Sequence, residues 1–291
     1  MKVRMSKGEK VFYAVDYALI VLVVIVTLYP FLYILSASFS DPFAVVGGDV
    51  ILFPKGFNLE AYKNVFSSDE IWYSYRNTLW YVVVGTAVNI FMTTIMAYPL
   101  SRRKFSGRKA INLFVAFTMF FSAPLVPTFL VVKGVGLINS MWALVIPTAI
   151  DSFYLIIMRS FFEELPESIF EAATIDGCND IQILYKIVIY LSGPVLAVMV
   201  LFYAVYHWNS YFGALLYLNS DKKYPIQMIL RKILIGLDAN KMAGQAYDRK
   251  DLVTMSVRYA TIVVSTVPIL FIYPFLQRYF VKGVMIGAVK G

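Results

Sequence analysis

Few residues in this chain are equipped for covalent or acid–base chemistry. There is one histidine, His207, and one cysteine, Cys178. A multi-histidine or Cys-rich metal site and an intrachain disulfide are therefore excluded. His207 lies in an aromatic run (Tyr203, Tyr206, Trp208, Tyr211, Phe212) with no Ser-His-Asp set around it. The glycines form no G-x-x-x-x-G-K-[ST] phosphate loop, so no catalytic residue is assigned and ATP hydrolysis is not expected of this chain. What remains is binding chemistry, in two places. In the polar stretch 165–194, Glu167, Glu171 and Asp176 offer negative charge to a basic partner, and the small Ala172 and Ala173 allow another backbone to come close. At Tyr206, Trp208, Asn209 and Tyr211, aromatic faces stand beside a hydrogen-bonding amide, the groups that commonly hold sugars.

The elements that would position the first set follow from punctuation. Pro166 suits a first helical position and Gly177 the residue just past a helix end. They frame a helix of about eleven residues, on the order of 16 Å long. Asp180 is expected to cap a second helix, with Ile181, Leu184, Tyr185 and Val188 on one face. On shape alone, this helix–Gly–helix unit fits either a docking element held out of the bilayer or an amphipathic loop lying on it.

Composition sets the wider frame. Hydrophobic residues make up 59% of the 291, charged residues 15%, and mean hydropathy is +0.69. Soluble domains carry about 25% charged residues. Several apolar runs reach the roughly 20 residues that a bilayer-crossing helix needs. The expected fold is all-α, a single transmembrane domain with six spans at about 11–37, 77–100, 110–132, 141–161, 187–216 and 253–281. The apolar core of the first span is longer than a signal peptide's and is read as a retained helix.

Charge gives the orientation. Net charge is +8, but the bases gather at span ends and no nucleic-acid motif is present. Residues 101–109 hold five bases and no acid, which places that loop inside, together with the N terminus, the C terminus and the segment 163–186. The segment 219–252 strains this logic: it is read as outside although seven bases face four acids. That basic segment suits either a solvated loop that docks an acidic binding protein or an acidic oligosaccharide as cargo. The aromatic cluster around His207 suits either a cargo path or an interfacial aromatic belt.

The order Glu171-Ala172-Ala173, three residues, Gly177, nine residues, Ile187 and a hydrophobic Ile189 resembles the EAA loop of bacterial binding-protein-dependent ABC importer permeases. It departs from the pattern at Cys178, where Ala is common, and at Tyr190, where Pro is usual. The Trp208-Asn209 pair and the ending 273–283, with Gly287 and Lys290-Gly291, resemble the carbohydrate-uptake branch, above all the polysaccharide-oligomer permeases. The resemblance implies a subunit of the bacterial cytoplasmic membrane that forms an oligosaccharide path with a second permease. It also implies an extracellular solute-binding protein and two ATPase subunits, which would hold the ATP and Mg. Glu171, Ala172, Ala173, Asp176 and Gly177 would then form the coupling helix seated on an ATPase. An ABC permease for a non-sugar solute is the main alternative. A secondary transporter is disfavoured because the spans carry almost no acids or bases.

Overall fold

Apolar runs form the long helices of this protein; Pro30 and Pro99 lie inside them, whereas Pro124 and Ser192-Gly193-Pro194 stand at breaks. The computed structural model describes residues 6–121, 123–242 and 254–271. In chain order the helices are α1 (Lys7–Ser38), α2 (Pro42–Val46), α3 (Glu60–Ser67), α4 (Asp69–Ser101), α5 (Arg108–Phe120), α6 (Leu125–Gly134), α7 (Ser152–Glu163), α8 (Glu167–Ile175), α9 (Asp180–Leu191), α10 (Gly193–Trp208), α11 (Phe212–Tyr217), α12 (Ile226–Met242) and α13 (Thr254–Phe271). No strand occurs among the described residues. Among the described residues, three helices are long and apolar enough to cross a membrane, and up to six if each bent pair counts as one.

The helix α1 runs through the whole of the first expected span, 11–37. Ser6 caps α1 through a reciprocal capping box with Glu9, and apolar side chains are exposed along most of its 32 residues. The other expected spans are less regular. The helix that contains the second, 77–100, begins at Asp69 and is one 33-residue helix carrying a π-helical turn at Tyr81–Gly85. The third, expected over 110–132, is two helices, because Pro124 sits in extended backbone (φ −60°, ψ 153°) before α6. The fourth, expected over 141–161, starts as 3₁₀ turns at Met141–Leu144 and Ile146–Thr148 and bends by 50° into α7. Asp151 caps α7, accepting from the backbone N–H of Phe153 and Tyr154 at 2.9 and 3.1 Å. The fifth, expected over 187–216, bends by 84° at Ser192-Gly193-Pro194 and ends at Trp208. Of the sixth, expected over 253–281, α13 is the described part; Pro274 and the tail lie outside the described residues.

Contacts group the chain into two units, residues 1–68 with 230–267, and 69–229 with 268–291. In the first, Ala37, Val45 and Val50 form a small core with Tyr33, Ala44 and Tyr259. In the second, α4 packs on both α10 and α7. Its core takes Tyr98 and Leu100 from α4, Leu155, Met158 and Phe162 from α7, Phe170 and Ala173 from α8, and Met199 and Tyr203 from α10. The helix carrying Glu171 is thus anchored on the membrane helices' own core.

Candidate functional site

The coupling segment is built around one glycine. Pro166 is the N-cap of α8 rather than its first residue, and Asp176 is the C-cap. Gly177 follows with φ +78°, the left-handed conformation that glycine adopts without the Cβ penalty. The Cys178 N–H donates to Ala173 O at 3.0 Å and the Gly177 N–H to Thr174 O at 3.1 Å. These two bonds are a Schellman motif, and they satisfy carbonyls that the helix end would otherwise orphan. The next helix is capped by Asn179, not Asp180: Asn179 and Gln182 exchange backbone-to-side-chain bonds of 2.8 and 2.9 Å. Asp180 is the first residue of that helix.

The exposed faces differ from the expected ones. Glu171, Ala172, Asp176 and Gly177 are exposed, and Ile175 is 86% exposed at the tip. Ala173 is buried in the protein's own core, so of the two alanines only Ala172 offers a small surface to a partner. On α9 the buried residues are Ile183 and Val188, while Ile181 and Tyr185 face outward. The π-turn Leu184–Val188 explains the change, because its wider turn brings residues five apart onto one face.

Beside this segment lies Arg102, which terminates α4. Its Nη2 donates to Phe162 O at 2.6 Å and its Nη1 is 3.7 Å from Glu167 Oε2. Burial lowers the Arg102 pKa and Glu167 opposes that shift; a guanidinium stays charged regardless. Arg108 pairs with Glu163 and donates from Nε to Leu100 O at 2.9 Å.

The second candidate set does not stay together. Tyr206, Asn209 and Tyr211 line a cavity of about 1010 Å³ with Tyr154, Ser210 and Tyr217. Trp208 is absent from that lining and only 5% exposed, so it is part of the packing. His207 is buried as well, its Nε2 2.6 Å from Asn89 Oδ1, and the Asn89 Nδ2 donates to Thr148 O. The imidazole lies against the α-carbon of Gly85 in the π-turn of α4, where any Cβ would overlap the ring. Neither Gly85 nor Asn89 was legible as a partner of His207, since only the folded chain brings residues this far apart in sequence together. Tyr154 gave no signal beyond being one aromatic among many.

The segment after α11 is held down rather than free. Asn77 Nδ2 donates to the carbonyls of Lys222 and Tyr224 at 2.7 and 3.1 Å, and the Tyr81 hydroxyl donates to Lys223 O at 2.9 Å. Much of the basic stretch then continues as α12. Arg249 and Lys250 lie outside the described residues.

Residues 89–286 match the family described as binding-protein-dependent transport system inner membrane component. The chain belongs to this family. It is 44% identical to the polygalacturonan/rhamnogalacturonan transport system permease protein YtcP of Bacillus subtilis (strain 168), over 97% of this chain and 99% of that one. It is 35% identical, with a TM-score of 0.87, to a chain in the crystal structure of a bacterial ABC transporter involved in the import of the acidic polysaccharide alginate. That likeness covers 95% of this chain and 99% of the other. A chain from a bacterial alginate ABC transporter in complex with an alginate pentasaccharide-bound periplasmic protein shares the fold, with a TM-score of 0.54, 17% identity and coverage of 91% and 93%. The protein is therefore a multi-pass inner-membrane transport component, and its relatives are permease subunits rather than ATPases.

Proposed function

We propose that this permease forms, with a second permease, the path by which an ATP-driven importer takes up acidic, uronide-type oligosaccharides delivered by an extracellular binding protein. The observation that carries the cargo is the 44% identity, over 97% of the chain, to a polygalacturonan/rhamnogalacturonan permease. A galacturonan unit bears a carboxylate, and the alginate importer likewise handles an acidic polysaccharide.

In this reading the chain crosses the membrane six times with both termini in the cytoplasm, as the bases at 101–109 favour. The tip of α8 then meets an ATPase that supplies the ATP and Mg sites. Glu171, Ala172, Ile175 and Asp176 form the docking surface, and the Gly177 turn keeps it projecting. ATP-driven closure of the ATPase pair displaces α8, and the shared core passes that displacement to α4, α7 and α10. The cavity at Tyr206, Asn209 and Tyr211 lies where aromatic faces and an amide can receive sugar rings.

The test is uptake by the reconstituted importer. Uronide oligomers presented on the binding protein should be accumulated and neutral oligomers of equal length should not. Accumulation of neutral oligomers alone would refute the cargo assignment.

A further inference from the structure

From sequence, the run 101–109 is an orientation signal, a part that any solvated lysine or arginine can play. Arg102 is not solvated. Its side chain keeps 16% of its exposure, whereas its neighbours Arg103 and Lys104 are exposed. The guanidinium Nη2 donates to Phe162 O in the last turn of α7, and Nε donates to Ser101 Oγ at 3.1 Å. The guanidinium carbon stacks 3.7 Å from the centre of the Phe170 ring on α8. Nη1 faces Glu167 Oε2, at the first residue of α8, across 3.7 Å, and makes no hydrogen bond to any described residue. One planar cation thus touches the ends of α4 and α7 and the beginning of α8.

We propose that Arg102 is a positioning residue for transport coupling. It clamps the coupling helix to α4 and α7, which pack on each other, so that displacement of the α8 tip moves α4 and α7 as one body. This rests on the coupling role assigned to α8 above. Arginine suits the task because its rigid fork bonds in the plane while its face stacks on an aromatic ring; a lysine ammonium cannot do both. The Nη1–Glu167 contact is the adjustable part. It stands about 0.8 Å beyond an ordinary N–H···O distance of about 2.9 Å, so a small tilt of α8 completes the bond and satisfies a buried donor. Hydrogen-bond networks of this kind carry coupling between distant sites when the element they join has two arrangements.

The experiment uses the complete importer in liposomes and reads oligosaccharide transported per ATP hydrolysed. Five variants are compared in assembled complexes: Arg102→Lys, Glu167→Gln, the double variant, the exposed control Arg103→Ala, and Gly177→Asp. Arg102→Lys and Glu167→Gln should each lower the ratio by about fivefold, and the double variant should fall no further than the worse single, as expected for residues acting through one contact. Arg103→Ala should match the wild type. Gly177→Asp serves as the reference for lost coupling. If it lowers the ratio while Arg102→Lys and Glu167→Gln do not, the Arg102 assignment is overturned and the coupling role of α8 stands. If Gly177→Asp also transports at the wild-type ratio, the coupling role itself fails. Should Arg102→Lys not assemble, Glu167→Gln decides alone, since it leaves the Phe162 bond and the ring stack intact; a wild-type ratio there overturns the proposal.

Discussion

Replacing Gly85 by Ala tests how tightly the π-turn of α4 is fitted to α10. The added methyl has nowhere to go, because the His207 ring occupies its position against the Gly85 α-carbon. Two costs follow. Forcing the ring aside is an overpacking of a filled core, about 1–3 kcal/mol. Moving it also breaks the 2.6 Å contact between His207 Nε2 and Asn89 Oδ1, and a buried polar group left unpaired costs about 1–3 kcal/mol more. The sum is about 2–6 kcal/mol, a large part of a typical folding free energy. The assay is heating of the detergent-solubilised protein, with the monodisperse fraction recovered as the readout. Gly85→Ala should lower the midpoint clearly in the native background. In a His207→Ala background the same methyl enters vacated space and should be close to neutral. Equal destabilisation in both backgrounds would mean that the cost arises in the α4 backbone, and the argument from the ring would be refuted.

Other variants separate the parts of the account. Nothing lies within 4 Å of where a Cβ would stand on Gly177, so Gly177→Ala costs only its left-handed backbone, about 1–2 kcal/mol. Asn tolerates that conformation better, so Gly177→Asn should preserve stability and assembly more fully than Ala, measured by thermal recovery and co-purification. Glu171→Lys reverses an exposed charge and should abolish uptake while leaving the protein abundant in the membrane; normal uptake by correctly inserted mutant would count against the docking surface. Tyr206→Ala and Tyr211→Ala should raise the KM for oligosaccharide uptake by about threefold to tenfold, the range of single aromatic contacts. Trp208→Ala should instead lower thermal stability by about 3–5 kcal/mol, because the residue is buried.

The turn at Gly177 was legible because its chemistry is local: a glycine after an amphipathic run needs no tertiary information to be read as a helix end. The apolar helices were legible for the same reason, since length and hydropathy are properties of a segment. The breaks within them were only half visible. Pro124, Pro147 and Pro194 stood in plain sight, but a proline in an apolar run fits a kink, a capped restart or a true corner. Only packing chooses among these, as in the 50° and 84° bends. The two π-turns left no trace in composition, and the one at Leu184–Val188 shifted the buried face of α9 away from the expected Ile181 and Tyr185. Trp208 illustrates another limit: aromatic clusters look alike in sequence whether they line a cavity or fill a core. Arg102 was hidden among bases counted together, although one of them is buried and its neighbours are not.

Whether α8 couples this permease to a separate ATPase for uptake of acidic oligosaccharides is decided by purifying the assembled importer. Its ATPase rate is then measured with the binding protein empty, loaded with uronide oligomer, or loaded with neutral oligomer. An ATPase and a second permease should co-purify, hydrolysis should rise only with the uronide-loaded binding protein, and Glu171→Lys should remove the rise. Hydrolysis indifferent to the loaded binding protein, or unchanged by Glu171→Lys in an intact complex, would rule out coupling through α8.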